Sequence, residues 1–169
     1  EPGDAILNAG CGEGLVMYLL NQEFPERKFV GVDIDQDRLG IGRDAELMDL
    51  IQGDVYELPF ASDRFDVVVM LEVLEHLQTP AAAIKEIKRV SRRAVVMSVP
   101  NDPVFRLGNL FRGRNLTKLG DHPDHKQHFT RLSFPKFLAN HLDVRRTSMP
   151  GFAWTMCLGH VDSDQMDGD

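Results

Sequence analysis

Ile6-Leu7-Asn8-Ala9-Gly10-Cys11-Gly12-Glu13-Gly14 carries a short apolar run into three alternating glycines. Behind it, Leu15 to Glu23 spaces Leu15, Val16, Leu19 and Leu20 on one helical face. The stretch reads as strand, tight turn and helix. Glycines in such a turn permit positive φ and let a ligand approach the backbone to contact distance. The helix behind it offers unpaired amides to a carboxylate or phosphate. Taken alone, the same loop also reads as nothing more than a compact strand-to-helix turn.

The next strand sharpens the reading. Phe29 to Val32 is apolar and ends at Asp33, 19 residues beyond Gly14. One helix carries the chain away and one strand returns it, so both strand ends open on the same edge of a sheet. There an aspartate can accept both ribose hydroxyls of a nucleoside. The dinucleotide pattern Gly-x-Gly-x-x-Gly fails, because Leu15 or Met17 holds the sixth position. That disfavours a nicotinamide-dependent dehydrogenase. A P-loop fails as well, since no Gly-Lys-Ser/Thr follows. What remains is a nucleoside ligand with a compact, charged tail.

Outward from there the alternation continues, which predicts an α/β fold with a parallel sheet covered by helices. Gln36 to Leu47 reads as a helix weakened by Gly40 and Gly42, and Leu50 to Gln52 as a strand before Gly53-Asp54. Asp66 to Leu71 is apolar without alternation, as expected of a strand buried on both faces. Pro80 opens a helix at its favoured first position with Thr79 as N-cap. Ile84, Ile87 and Val90 form its inner face, and Lys85, Lys88 and Arg89 its solvent side. Ala94 to Val99 is a fifth strand, Ser133 to Leu142 a helix, and Val144 to Met149 and Ala153 to Gly159 the last strands.

The 169 residues suit a single domain over 1–160, followed by an acidic tail (161–169) with four aspartates that is expected to be disordered. No apolar run reaches the roughly 18 to 20 residues that span a bilayer, and no secretory segment opens the chain. Cys11 and Cys157 make no disulfide framework, so a reducing, cytoplasmic setting is expected. A net charge of -7 argues against non-specific nucleic-acid binding.

ILNAGCGEG (6–14), FVGVDID (29–35), GDVYELPFASDRFDVVVMLEVLEHL (53–77) and AAAIKEIKRV (81–90) resemble, in order and spacing, the motifs of class I S-adenosylmethionine-dependent methyltransferases of the small-molecule type. The resemblance covers residues 5 to 100. It implies a Rossmann-like, doubly wound sheet of about seven strands, mostly parallel with the last antiparallel, and helices on both faces. It further implies that Gly10, Gly12 and Gly14, with Asn8 and Cys11, cradle the methionine moiety of S-adenosylmethionine. Asp33, with Ile34 beside it, would hold the ribose. Asp54 and Val55 would receive the adenine, and Leu71 and Glu72 would approach the methyl. The expected reaction is in-line methyl transfer to a small-molecule or lipid-like acceptor, leaving S-adenosylhomocysteine. The alternative is a non-catalytic or degenerate cofactor-binding module, or a fragment of a larger enzyme. Two features favour it: Asn8 stands where such families carry an acid, and only four residues precede Ala5, where a cofactor-covering helix often lies. Asparagine keeps the shape and an acceptor but loses the charge that suits a cationic cofactor.

His76 is the candidate general base beside the methyl, or a structural histidine of the turn after the fourth strand. Residues 101–130 are the expected acceptor pocket, with Asn101, Arg106, His125 and His128 as candidate contacts. Arg106, Arg112, Arg114 and Lys118 are interleaved with Phe105, Leu107, Leu110, Phe111 and Leu116, and no acid falls among them. That pattern suits an anionic lipid surface or a phosphorylated acceptor, and equally a cover helix with its basic residues in water. His122, His125 and His128 recur at three-residue spacing, readable as pocket wall, as surface or as ligands around zinc, although spacing in a loop fixes no geometry. No metal is expected. Leu71-Glu72-Val73-Leu74 lacks the Asn/Asp-Pro-Pro-aromatic run of amino-directed nucleic-acid methylation, so no nucleic-acid partner is expected.

Overall fold

The computed structural model describes residues 3–44, 49–102, 104 and 125–161. In chain order these form β1 (Ala5–Ala9), α1 (Leu15–Glu23), β2 (Lys28–Asp33), α2 (Gln36–Asp44), β3 (Asp49–Gln52) and β4 (Phe65–Leu71). A 3-10 turn (Leu74–His76), α3 (Pro80–Val90), β5 (Ser91–Pro100), α4 (Ser133–Leu138), β6 (Asp143–Ser148) and β7 (Trp154–His160) follow. All seven strands join one sheet in the order β3-β2-β1-β4-β5-β7-β6. Neighbours from β3 through β5 are parallel, and β7 runs antiparallel to both β5 and β6. The expected Rossmann-like sheet, with its last strand reversed, is present.

Strand periodicity divides the apolar residues between two faces. Leu7, Val68, Met70, Val95 and Met97 point into the larger core, which Ile84 and Ile87 of α3 and Phe134 and Leu138 of α4 complete. Ile6, Phe29 and Val69 point the other way, onto Met17 of α1. This is why the β4 stretch shows no alternation in sequence: helices lie over both of its faces.

Three local expectations need correction. The apolar stripe of α1 is split. Met17 and the half-buried Leu20 meet the sheet, while Leu15 (54% exposed), Val16 (42%) and Leu19 (59%) meet no cover among the described residues. Periodicity reports which side chains share a helix face, but not whether anything packs on it. Thr79 sits at the N-cap of α3 but makes no side-chain cap bond. The Tyr56 hydroxyl instead accepts from the Gln78 and Thr79 amides at 3.0 and 3.2 Å.

Arg89 is not a solvent-side residue either. It donates to the Phe60 and Leu58 carbonyls at 2.7 and 3.0 Å and pairs with Glu86, whose carboxylate accepts from the Leu58 amide. Helix α3 thereby pins the loop that follows Asp54. The basic stretch around Arg106, His122 and residues 162–169 of the acidic tail lie outside the described residues. Among the described residues no helix is long and apolar enough to cross a membrane.

Candidate functional site

Strand order reverses between β1 and β4, the topological switch point at which open α/β sheets bind ligands beyond their carboxyl ends. The loops leaving these two strands meet there. The Gly10 and Cys11 amides both donate to the Val32 carbonyl, at 2.8 and 3.0 Å, folding the glycine turn against β2. Gly10, Gly12 and Gly14 have φ of +79°, +55° and +83°. At Gly10 the glycine is required twice, because a Cβ there would lie 2.3 Å from Val73 Cγ2 as well as in a left-handed conformation.

Between the two loops opens a cleft of about 350 Å³, within the size class of small-molecule sites. Of the residues singled out from sequence, Gly10, Asp33, Ile34, Asp54, Val55, Glu72 and His76 line it. Asn8, Cys11, Gly12, Gly14 and Leu71 are not in its wall. Among the described residues, Arg38, Tyr56, Val73 and Leu77 line it too, and the sequence did not flag them.

The acidic groups in the wall are held in place. Asp33 is buried; its Oδ2 accepts from the Gly12 amide at 2.7 Å and its Oδ1 from the Asp35 amide at 2.9 Å. The carboxylate thus couples the end of β2 to the glycine turn. Asp54 Oδ1 accepts from the Tyr56 amide at 2.9 Å. Ile34, 66% exposed, offers an uncovered apolar side chain beside these acids. Arg38 reaches back from α2 over Gly12 to Glu13, with Nε 3.7 Å from Oε1.

Glu72 leaves β4 with φ +57°, a left-handed conformation that is costly for a side-chain-bearing residue and that clusters at functional sites. Two donors fix its carboxylate: Ser98 Oγ to Oε1 at 2.7 Å and Trp154 Nε1 to Oε2 at 2.9 Å. Burial raises its pKa, and the two bonds oppose the rise. The β7 contact was invisible in sequence, since 82 residues separate its partners. Asn8 lies in β1 just before the turn, and its Oδ1 is buried without a hydrogen-bond partner.

His76 closes the 3-10 turn after β4, with its ring 5.1 Å from that of His125 in an edge-on arrangement. The other acceptor-side candidates stand apart from the cleft. Asn101 is buried, with Nδ2 donating to the Phe152 carbonyl at 3.3 Å and Oδ1 accepting from the Arg131 amide at 3.2 Å. It lines a second hollow with Val104 and residues 130–132. His128 Nδ1 lies 3.3 Å from Asp102 Oδ2. Arg106 lies outside the described residues.

A family model described as a methyltransferase domain matches residues 7–98. An uncharacterized methyltransferase of Schizosaccharomyces pombe is 34% identical over 101 residues, covering 53% of this chain and 36% of that protein. A demethylmenaquinone methyltransferase of Symbiobacterium thermophilum is 34% identical over 98 residues, covering 53% of this chain and 39% of that protein. The matched stretch therefore spans under two-fifths of either relative. Among solved structures, an S-adenosylmethionine-dependent methyltransferase of Aquifex aeolicus superposes with a TM-score of 0.73. It covers 96% of this chain and 84% of that one, and at 13% identity it speaks for the fold alone. The chain belongs to the class I S-adenosylmethionine-dependent methyltransferases, a family whose methyl donor is S-adenosylmethionine.

Proposed function

We propose that this chain binds S-adenosylmethionine in the cleft between β1 and β4 and transfers its methyl group to a small-molecule acceptor. The observation that carries the reading is convergence. Seven residues, drawn from four loops far apart in sequence, line one cleft at the switch point. The residues also fit the cofactor. Gly10 leaves bare backbone in the wall where Val73 forbids a Cβ, and the uncovered Ile34 side chain stands beside the Asp33 carboxylate.

In this reading Asp33 accepts the ribose hydroxyls, Ile34 and Val55 flank the adenine, and Asp54 accepts its amino group. The glycine turn and Glu72 hold the methionine end. When bound, the cofactor supplies a sulfonium-borne methyl that is already activated, so the chain's main task is to orient a nucleophile in line with it. Glu72 is held still for that task by Ser98 and Trp154. His76 is the cleft's candidate proton acceptor for a nucleophile that carries a proton. Likeness to a demethylmenaquinone methyltransferase supports a small-molecule acceptor.

The uncharged Asn8 favours a second reading, a module that binds the cofactor without turnover. Calorimetric titration with S-adenosylmethionine, S-adenosylhomocysteine and NAD tests the site. Both sulfur nucleosides should bind and NAD should not. Asp33→Ala should lose charge-assisted bonds of about 1.5–3 kcal/mol, roughly 10- to 150-fold in affinity. If neither sulfur nucleoside binds, the proposal fails for this chain. Binding without transfer to any of a panel of quinol and phenol acceptors would favour the second reading.

A further inference from the structure

Around His76, apart from the groups already assigned to the cofactor, lies a cluster of which methyl transfer as described uses only His76 itself. Glu75, His76 and His125 each present a ligand atom within 4.8 Å of the other two. Glu75 is 2% exposed, and its Oε2 has no hydrogen-bond partner. A buried carboxylate oxygen in that state costs free energy unless something compensates it.

The arrangement is built rather than incidental. The Glu75 carbonyl accepts from the Lys126 and Gln127 amides at 2.8 and 3.0 Å, and Gln127 Nε2 reaches the Leu77 carbonyl at 3.4 Å. These bonds lash the 125–127 segment onto the 3-10 turn and bring His125 against His76. Two imidazoles and one carboxylate are a familiar ligand set for first-row divalent cations, and open positions on such a cation serve a substrate.

We infer that Glu75, His76 and His125 form a binding site for a divalent transition-metal cation, of the zinc or cobalt type, at the acceptor end of the cleft. Adjacent ligand atoms around such a cation lie roughly 3.0–3.4 Å apart, given bonds near 2.1 Å. The three ligand atoms already lie within 4.8 Å of one another, so a cation would draw them together from that spacing. His76 also lines the cleft, so a cation held there borders the space where the acceptor would lie. A coordinated hydroxyl loses its proton more readily, because the cation stabilises the resulting oxyanion. His76 would then act through the cation rather than as a base. This deepens the methyltransferase proposal and rests on it for the acceptor's position, while binding of the cation itself does not.

The test uses the full chain stripped of metal, titrated with Co2+ and followed by visible absorption, with Zn2+ as competitor and Mg2+ as control. One Co2+ per chain should bind at or below about 10 µM, be displaced by Zn2+, and be indifferent to Mg2+. Glu75→Gln and His125→Ala should each weaken binding by about 10-fold or more. Circular dichroism should show both variants folded. Calorimetry should show S-adenosylhomocysteine binding to the metal-free chain unchanged by His125→Ala. The inference is overturned if no stoichiometric Co2+ binding is seen, if His125→Ala binds like the parent chain, or if Mg2+ competes equally. If Co2+ binds but S-adenosylhomocysteine does not, the site stands and the methyltransferase proposal falls.

Discussion

Replacing Gly10 by alanine separates two physical demands at the heart of the cleft. The backbone there has φ +79°, and a left-handed conformation costs a residue with a Cβ about 1–2 kcal/mol. The added Cβ would also stand 2.3 Å from Val73 Cγ2 and 3.2 Å from its Cγ1. Val73 is β-branched and stiff about χ1, so it relieves the clash only by shifting its loop, at about 1–3 kcal/mol. Gly10→Ala should therefore destabilise the chain by about 2–5 kcal/mol.

A double-mutant cycle isolates the second part. With Val73→Ala in the background the collision is gone and only the φ cost remains, so the cycle should return a favourable coupling of about 1–3 kcal/mol. Trp154, the chain's single tryptophan, reports unfolding by fluorescence in a urea titration. Titration with S-adenosylhomocysteine reports the cleft, and Gly10→Ala should weaken that binding more than Val73→Ala does. Strict additivity of the two substitutions would refute the argument, since it would mean that the contact between the loops plays no part.

The two glycines of α2 should behave oppositely. Gly40→Ala meets nothing within 4 Å and should stabilise by about 0.5–1 kcal/mol through helix propensity, whereas Gly42→Ala drives a Cβ to 2.1 Å from the Glu13 carbonyl oxygen and should destabilise. Melting temperatures of the two variants decide it, and a stable Gly42→Ala would contradict the close approach. Arg89 holds the Glu86 carboxyl below its ordinary range, so that pair contributes stability above the unfolded carboxyl pKa and loses it as pH falls through the folded one. The gap in stability between the parent chain and Glu86→Gln should accordingly shrink from pH 7 toward pH 3, and a constant gap would count against the pairing. Burial pushes the Cys11 thiol up to about 12 and raises that of Cys157 as well. Both should resist iodoacetamide in the folded chain at pH 8 and react once it is unfolded; mass spectrometry showing rapid native labelling of Cys11 would overturn that picture.

What the sequence disclosed was local or strictly periodic. The glycine turn, the aspartate closing β2, the uninterrupted β4 and the inner face of α3 each leave a signature within a dozen residues, and each is where the sequence placed it. Contacts between remote segments leave none. Nothing near Glu72 announces that Ser98 and Trp154 will grip it, and nothing near His76 announces His125. Arg89 looks like any solvent-side base until the loop of Leu58 and Phe60 is laid against it. Gly42 looks like a helix defect until Glu13 is seen pressing on it. The exposed stripe of α1 is the converse case: an apolar pattern is readable, but its partner is not encoded in the pattern.

The indole bond from β7 to Glu72 also bears on when the site is completed as the chain is made. A nascent chain that has emerged only through β5 already owns every glycine of the cradle and the aspartate of β2. It lacks Trp154, and one edge of β5 stands unpaired along the whole seven-residue register that β7 later fills. Glu72 at that stage is gripped from one side only. On the proposed reading, the methyl end of the cleft is complete only once β7 has paired, so the cofactor would be poorly suited to template the early steps of folding and well suited to reward their completion.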